Sequence, residues 1–195
     1  MESSPESAHG TSLAEAAAAA AESARALAAL SSGPGDQPAG AGARTVYEQG
    51  RARELAALAQ GLEGLEGEAP ALAARLAVAG GDDRARLTTR CLDLAFEILE
   101  GAAAVVRLCA VSAAIDGPDA DPDRATRRHA AALGSRSALE LAIAVLRELA
   151  DGMAADDELR LRLRVADAIR EEVDALLGET RPLDPFGSAA GGAAD

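Results

Sequence analysis

Leu55, Leu58, Leu62, Leu65, Ala69, Leu72, Leu76 and Ala79 recur at alternating intervals of three and four, the seam of a helix in an antiparallel bundle. The seam passes through Gly61, Gly64, Gly67 and Pro70 without losing phase. That predicts helix from about Arg44 to Ala79, with a bend or short break near Pro70 and collinear halves. "GGDD" at 80–83 ends this element and caps the next with Asp82 or Asp83. The third helix spans about 83–115, with Leu87, Cys91, Leu94, Ile98, Ala102, Val105 and Cys109 as its dry stripe. "DGPDADPD" at 116–123 stops it, and Asp121-Pro122 restarts the chain as N-cap and first helical residue. The fourth helix, about 122–151, gathers Ala138, Leu139, Ala142, Ile143, Leu146 and Leu149 on one face. The fifth follows "AADD", ends at Gly178, and turns Leu159, Ala166, Ile169, Val173 and Leu176 inward. "LRLRLR" at 159–164 alternates like a strand, but an isolated strand has no partner, so the helical period prevails.

The first helix is of another kind. A capping box from Ser12 to Glu15 starts it at Thr11 or Ser12, and it runs to about Leu30. Glu15, Glu22 and Arg25 share one face and the rest is almost pure Ala. Burying so much of its circumference takes a crowded centre or a partner subunit, and a homodimer is expected. Residues 1–10, the Gly/Pro-rich "SSGPGDQPAGAGA" at 31–43, and the tail 179–195 are expected to be flexible. The fold class is all-α: an antiparallel bundle of about five long helices in one domain, 11–178.

Composition sharpens this picture. Hydrophobic residues make up 49% of the chain, and the only aromatics are Tyr47, Phe96 and Phe186. Ala, Leu and Val suit closely approaching helices, whereas sheets favour β-branched and aromatic residues. Every basic side chain other than His is Arg, and the absence of Lys excludes Schiff-base chemistry and a P-loop. A net charge of −13 argues against nucleic-acid binding. Cys91 and Cys109 lie on one helix, roughly 27 Å apart at 1.5 Å per residue, too far to bridge. They read as small buried hydrophobes in a reducing cytoplasm. "MESSPESAHG" lacks the positive charge of a signal peptide, no uncharged apolar run approaches membrane length, and neither export nor a membrane partner is expected.

Candidate chemistry is sparse. With His9 and His129 the only histidines and no Glu-x-x-His or C-x-x-C, no metal site is expected. No nucleophile elbow frames any Ser. What stands out is "PDRATRRHAAA" at 122–132, where an acidic chain gathers Arg124, Arg127, Arg128 and His129 at one helix start. Helix N-termini favour anions, so the cluster, with Arg136, is a candidate seat for a carboxylate or phosphate, and His129 a candidate acid–base group. The plainer reading pairs these Arg with carboxylates of neighbouring helices, 32 acids being available.

The layout resembles the cyclodeaminase/cyclohydrolase family, the C-terminal half of formiminotransferase-cyclodeaminase and its stand-alone relatives. "PESAHGTSLAEAAAAAAESARALAAL" is similar to that family's opening Pro-Gly-Gly-Gly-Ser turn and Ala-rich helix, with Gly10 and Ser12 fitting and His9 and Thr11 replacing Gly. "EGEAPALAARLAVAGGDDRARLTTRCLDLAFEILE" resembles its middle helices, and the stretch from "GSRSALELAIAVL" to "REEVDALL" its closing pair. The resemblance implies a helical, dimeric lyase or hydrolase, Gly10 and Ser12 near substrate, and a folate-type ligand; the residues themselves suggest no cofactor. Two functions compete: an enzyme-like protein binding a small anionic metabolite, and a non-catalytic helical dimerisation, interaction or regulatory module.

Overall fold

A computed structural model describes residues 5–31, 42–117, 121–151 and 157–181. They form five helices and no strand: α1 (Pro5–Ser31), α2 (Gly42–Val78), α3 (Gly81–Asp116), α4 (Pro122–Asp151) and α5 (Asp157–Glu179). Residues 1–4, 32–41 and 182–195, where most of the expected flexible stretches fall, lie outside the described residues.

Three boundaries differ from expectation. α1 begins at Pro5, not at the capping box, so Gly10 and Ser12 sit inside a helix and not in a turn. Pro is tolerated in a first helical turn, where its missing N–H has no intrahelical partner anyway. α2 runs unbroken through Pro70, because the Leu72 and Ala69 contacts on its buried side hold the helical phase across it. α3 is capped by Gly80 without a side-chain bond, and Asp82 and Asp83 fall in its first turn, where their charge suits the positive helix end. α4 starts as expected, with the Asp123 N–H donating to Asp121 Oδ1 at 3.1 Å. α3 stops at Gly117, whose φ of 67° lies in the left-handed region that favours glycine.

α1 packs against α2 and α4 and also touches α3, while α2 and α4 do not meet among the described residues. α1–α4 therefore form a four-helix bundle with α2 and α4 on one diagonal and α1 and α3 in contact across the other. Leu13, Ala16, Ala17, Ala20, Ala21, Ala24 and Leu27 of α1 are all buried. The crowded centre that the Ala-rich sequence demanded thus exists within one chain, and α1 requires no partner subunit to cover it. α3 contains an 18-residue window of mean hydropathy 1.8. Among the described residues it is the one helix long and apolar enough to cross a membrane, and half of that window is buried in the bundle. α5 lies against α3 and α4 on the outside.

Two glycines mark close approaches. A Cβ at Gly101 of α3 would meet Leu62 Cδ2 of α2 at 2.6 Å, and one at Gly134 of α4 would meet Ser23 Oγ of α1 at 2.5 Å. Gly64 of α2, by contrast, faces open space. Glycine in a helix interior costs roughly 0.5–1 kcal/mol relative to Ala, and only the packed positions gain contact in return. Gly64→Ala should therefore raise stability by about that amount, whereas Gly101→Val should lower it by about 1–3 kcal/mol through overpacking. Urea denaturation of the two variants checks the pair of signs.

Candidate functional site

Arg127, Arg128 and His129 are consecutive on α4, so their side chains leave the helix at intervals of about 100°. They do not converge. Arg128 is eleven positions before Leu139, three turns, and shares its buried face. Its side chain is only 5% exposed and forms an ion pair with Asp116, the last residue of α3, itself 13% exposed. The Arg128 backbone carbonyl accepts from Cys109 Sγ at 3.5 Å. Arg124 comes to 3.8 Å from the same Asp116 carboxylate. Arg127 is exposed, and its Nε donates to the Asp123 carbonyl of its own helix at 3.3 Å.

His129 points to the other side of α4, toward α5. Its Nδ1 lies 2.8 Å from Thr180 Oγ1. The Thr180 hydroxyl donates its one proton to the Leu177 carbonyl at 3.0 Å, so Nδ1 carries a proton and donates to Thr180. Thr180 is fully buried at the end of α5, and this bond fastens that end to α4. Burial, then the nearby Arg181 charge, lowers the His129 pKa, the reverse of what a proton-holding acid needs. Arg136 is paired as well, through Nε to Asp174 of α5 at 2.8 Å and Nη2 to Glu140 at 3.4 Å. Gly10 and Ser12 belong to α1, the helix that starts at Pro5.

The partner that sequence reasoning missed is Asp116, which read only as part of a helix stop. One signal was available: Asp116 ends a helix at its negative pole, where an acid is unfavourable, so it needs a cation close by. Arg128 Nε and Ser135 Oγ, seven positions apart on the inward face of α4, are buried without a hydrogen-bond partner among the described residues.

Neither thiol is a nucleophile. Burial pushes Cys91 up to about 11 and Cys109 up to about 12, although Arg128 and Arg51 pull the latter back. No group of three or more His, Cys, Asp or Glu side chains comes together to hold a metal among the described residues. A groove of about 630 Å³ lies between the C-terminal end of α2 and the N-terminal end of α3, bordered by Leu72, Arg75, Val78 and Leu87. Within it Arg86 is paired with Asp83, and Arg90 with Glu68. Leu87 and Asp116 stand at opposite ends of α3, on the order of 40 Å apart at about 1.5 Å per residue, so this groove and the Arg cluster are separate places.

Comparison with family models, with curated proteins and with solved structures finds no match to this chain.

His129 gives this region a pH dependence with a definite sign. Well above pH 6.5 His129 is neutral in both states and contributes nothing to it. Below 6.5 the unfolded chain takes up the proton first, because the folded pKa is lowered, so stability falls with pH until the folded-state pKa is passed. Replacing His129 with Gln, which can keep the bond to Thr180, should flatten that slope in urea midpoints measured from pH 7.5 down to 5. An unchanged slope would remove His129 as its source.

Proposed function

We propose that the chain is a non-catalytic helical interaction or regulatory module. The observation that carries this reading is the buried Arg128–Asp116 pair: the guanidinium best placed to seat an anion already holds one, and it belongs to the protein. Two further candidates are committed in the same way, Arg136 to Asp174 and His129 to Thr180. Thiols held well above neutral pH fit the same picture. A surface that acts by contact needs none of these groups free. Assembly with a second copy of the chain belongs to this reading.

Arg128→Ala separates it from the enzyme-like alternative. Removing one partner of a buried ion pair leaves the other charge unpaired, which costs about 3–5 kcal/mol; Arg124, 3.8 Å from Asp116, offsets part of that. The expected result is a large drop in melting temperature that is the same with and without millimolar inorganic phosphate, glutamate or a folate. Saturating ligand binding stabilises by about 2.7 kcal/mol at a hundredfold excess over Kd. A ligand-induced rise in the native protein that Arg128→Ala abolishes would overturn the proposal in favour of an anionic-metabolite site.

A further inference from the structure

α5 is held differently from the other helices. Within its 23 residues only Leu159, Ala166 and Val173 are buried, one position every seven, whereas α4 buries twelve of thirty. Leu163, Ile169, Leu176 and Leu177 flank that line half-buried. The remainder of the grip is ionic and comes from both sides. Toward α3, Arg162 Nη1 meets Asp93 at 2.6 Å, and Arg107 holds Glu172 with two bonds of 2.7 and 2.6 Å. Toward α4, Arg136 meets Asp174 at 2.8 Å and Arg147 meets Asp167 at 2.6 Å. All eight side chains are 31–49% exposed, within reach of dissolved salt. The pairs place α5 parallel to α3 and antiparallel to α4, seated along the junction of the two. One hydrogen bond, His129 to Thr180, closes the far end.

We infer that α5 is a salt-released strap, which opens as a unit and uncovers the α3–α4 surface beneath Leu159, Ala166 and Val173 while α1–α4 stay folded. The inference rests on the contacts of α5 alone and not on the interaction-module reading. Four exposed ion pairs lose their attraction as the screening length shrinks from about 30 Å at 0.01 M salt to about 3 Å at 1 M. The apolar hold that remains is one buried line, Leu159, Ala166 and Val173, with its half-buried flank. The four-helix bundle is held chiefly by apolar burial, α4 alone burying twelve residues, so screening changes it far less. The strap and the bundle are therefore distinguishable in one experiment. Sub-global opening of one helix is an ordinary mode of native-state fluctuation. What is particular here is that its free energy depends on ionic strength. The surface it uncovers is shaped to receive a helix, α5 being its resident.

Hydrogen exchange on the full chain, read by mass spectrometry in roughly 20 mM and about 1 M sodium chloride, tests this. Peptides from 157–179 should exchange before those from 91–110, with protection falling about tenfold in high salt, while the α3 peptides hold their protection. The double variant Arg107→Gln, Arg136→Gln should show the same loss in low salt, with its α3 peptides reporting that the bundle is intact. Exchange of α5 in a single step with α3 and α4, or protection in α5 that salt leaves unchanged, would overturn the proposal. The native-protein salt series decides the matter even if the double variant does not fold.

Discussion

Everything in this molecule depends on how closely α1 can be approached. A helix flanked by α2 and α4 and touched by α3 must present small side chains in three directions, and Ala16, Ala17, Ala20, Ala21 and Ala24 do so with no exposure at all. Ala has the highest helix propensity and loses no rotamer freedom on burial, so the closeness costs the helix nothing in its own stability. What Ala cannot supply is much apolar area per residue. The larger side chains are placed on the partners: Leu55, Leu62 and Leu72 on α2, Leu94, Ile98 and Leu99 on α3, Leu139, Ile143 and Leu146 on α4. Gly134 against Ser23 extends the same logic to the α1–α4 contact, where even a methyl group is too large.

Given that scaffold, the charges act as fasteners. Asp116 at the negative end of α3 and the Arg residues in the first turns of α4 each sit at the wrong helix pole for their sign. Pairing Arg128 with Asp116 removes both penalties at the connection where the two helices meet. The same exchange of Arg and carboxylate recurs between other helices: Arg25 with Glu63 and Glu66 between α1 and α2, Arg90 with Glu68 between α2 and α3, and the four pairs around α5. Hydrogen bonds from Arg90 and Arg107 hold the Glu68 and Glu172 carboxyls below the usual range, so these two fasteners weaken as pH falls through their folded-state values.

Much of the fold is legible in the sequence because helix periodicity is a local property. The 122–151 helix and its inward Leu139, Ile143 and Leu146 follow from spacing and from Asp121-Pro122 alone. The α1 start does not, because a capping box is a local preference and the chain before it, from Pro5, continues the helix. For the candidate site, projection at 100° per residue correctly sends Arg128 inward, yet direction is not destination. Whether an inward Arg meets a ligand or a carboxylate depends on which other element ends nearby, and that is a tertiary fact. The adjacency of Arg127, Arg128 and His129 in sequence is itself the reason they part in space, to solvent, to α3 and to α5.

The central claim is that α1 is enclosed within one chain by neighbours with no room to spare, and Ala20, wholly buried, is where it is most directly tested. Ala20→Leu adds three carbons at the centre of the bundle on a residue type that favours helix almost as well, so propensity is held nearly constant and packing alone changes. The account predicts a loss of at least about 1–3 kcal/mol in the urea unfolding free energy, the usual cost of overpacking. A variant as stable as the native protein, or more so, would contradict it and place α1 at a surface.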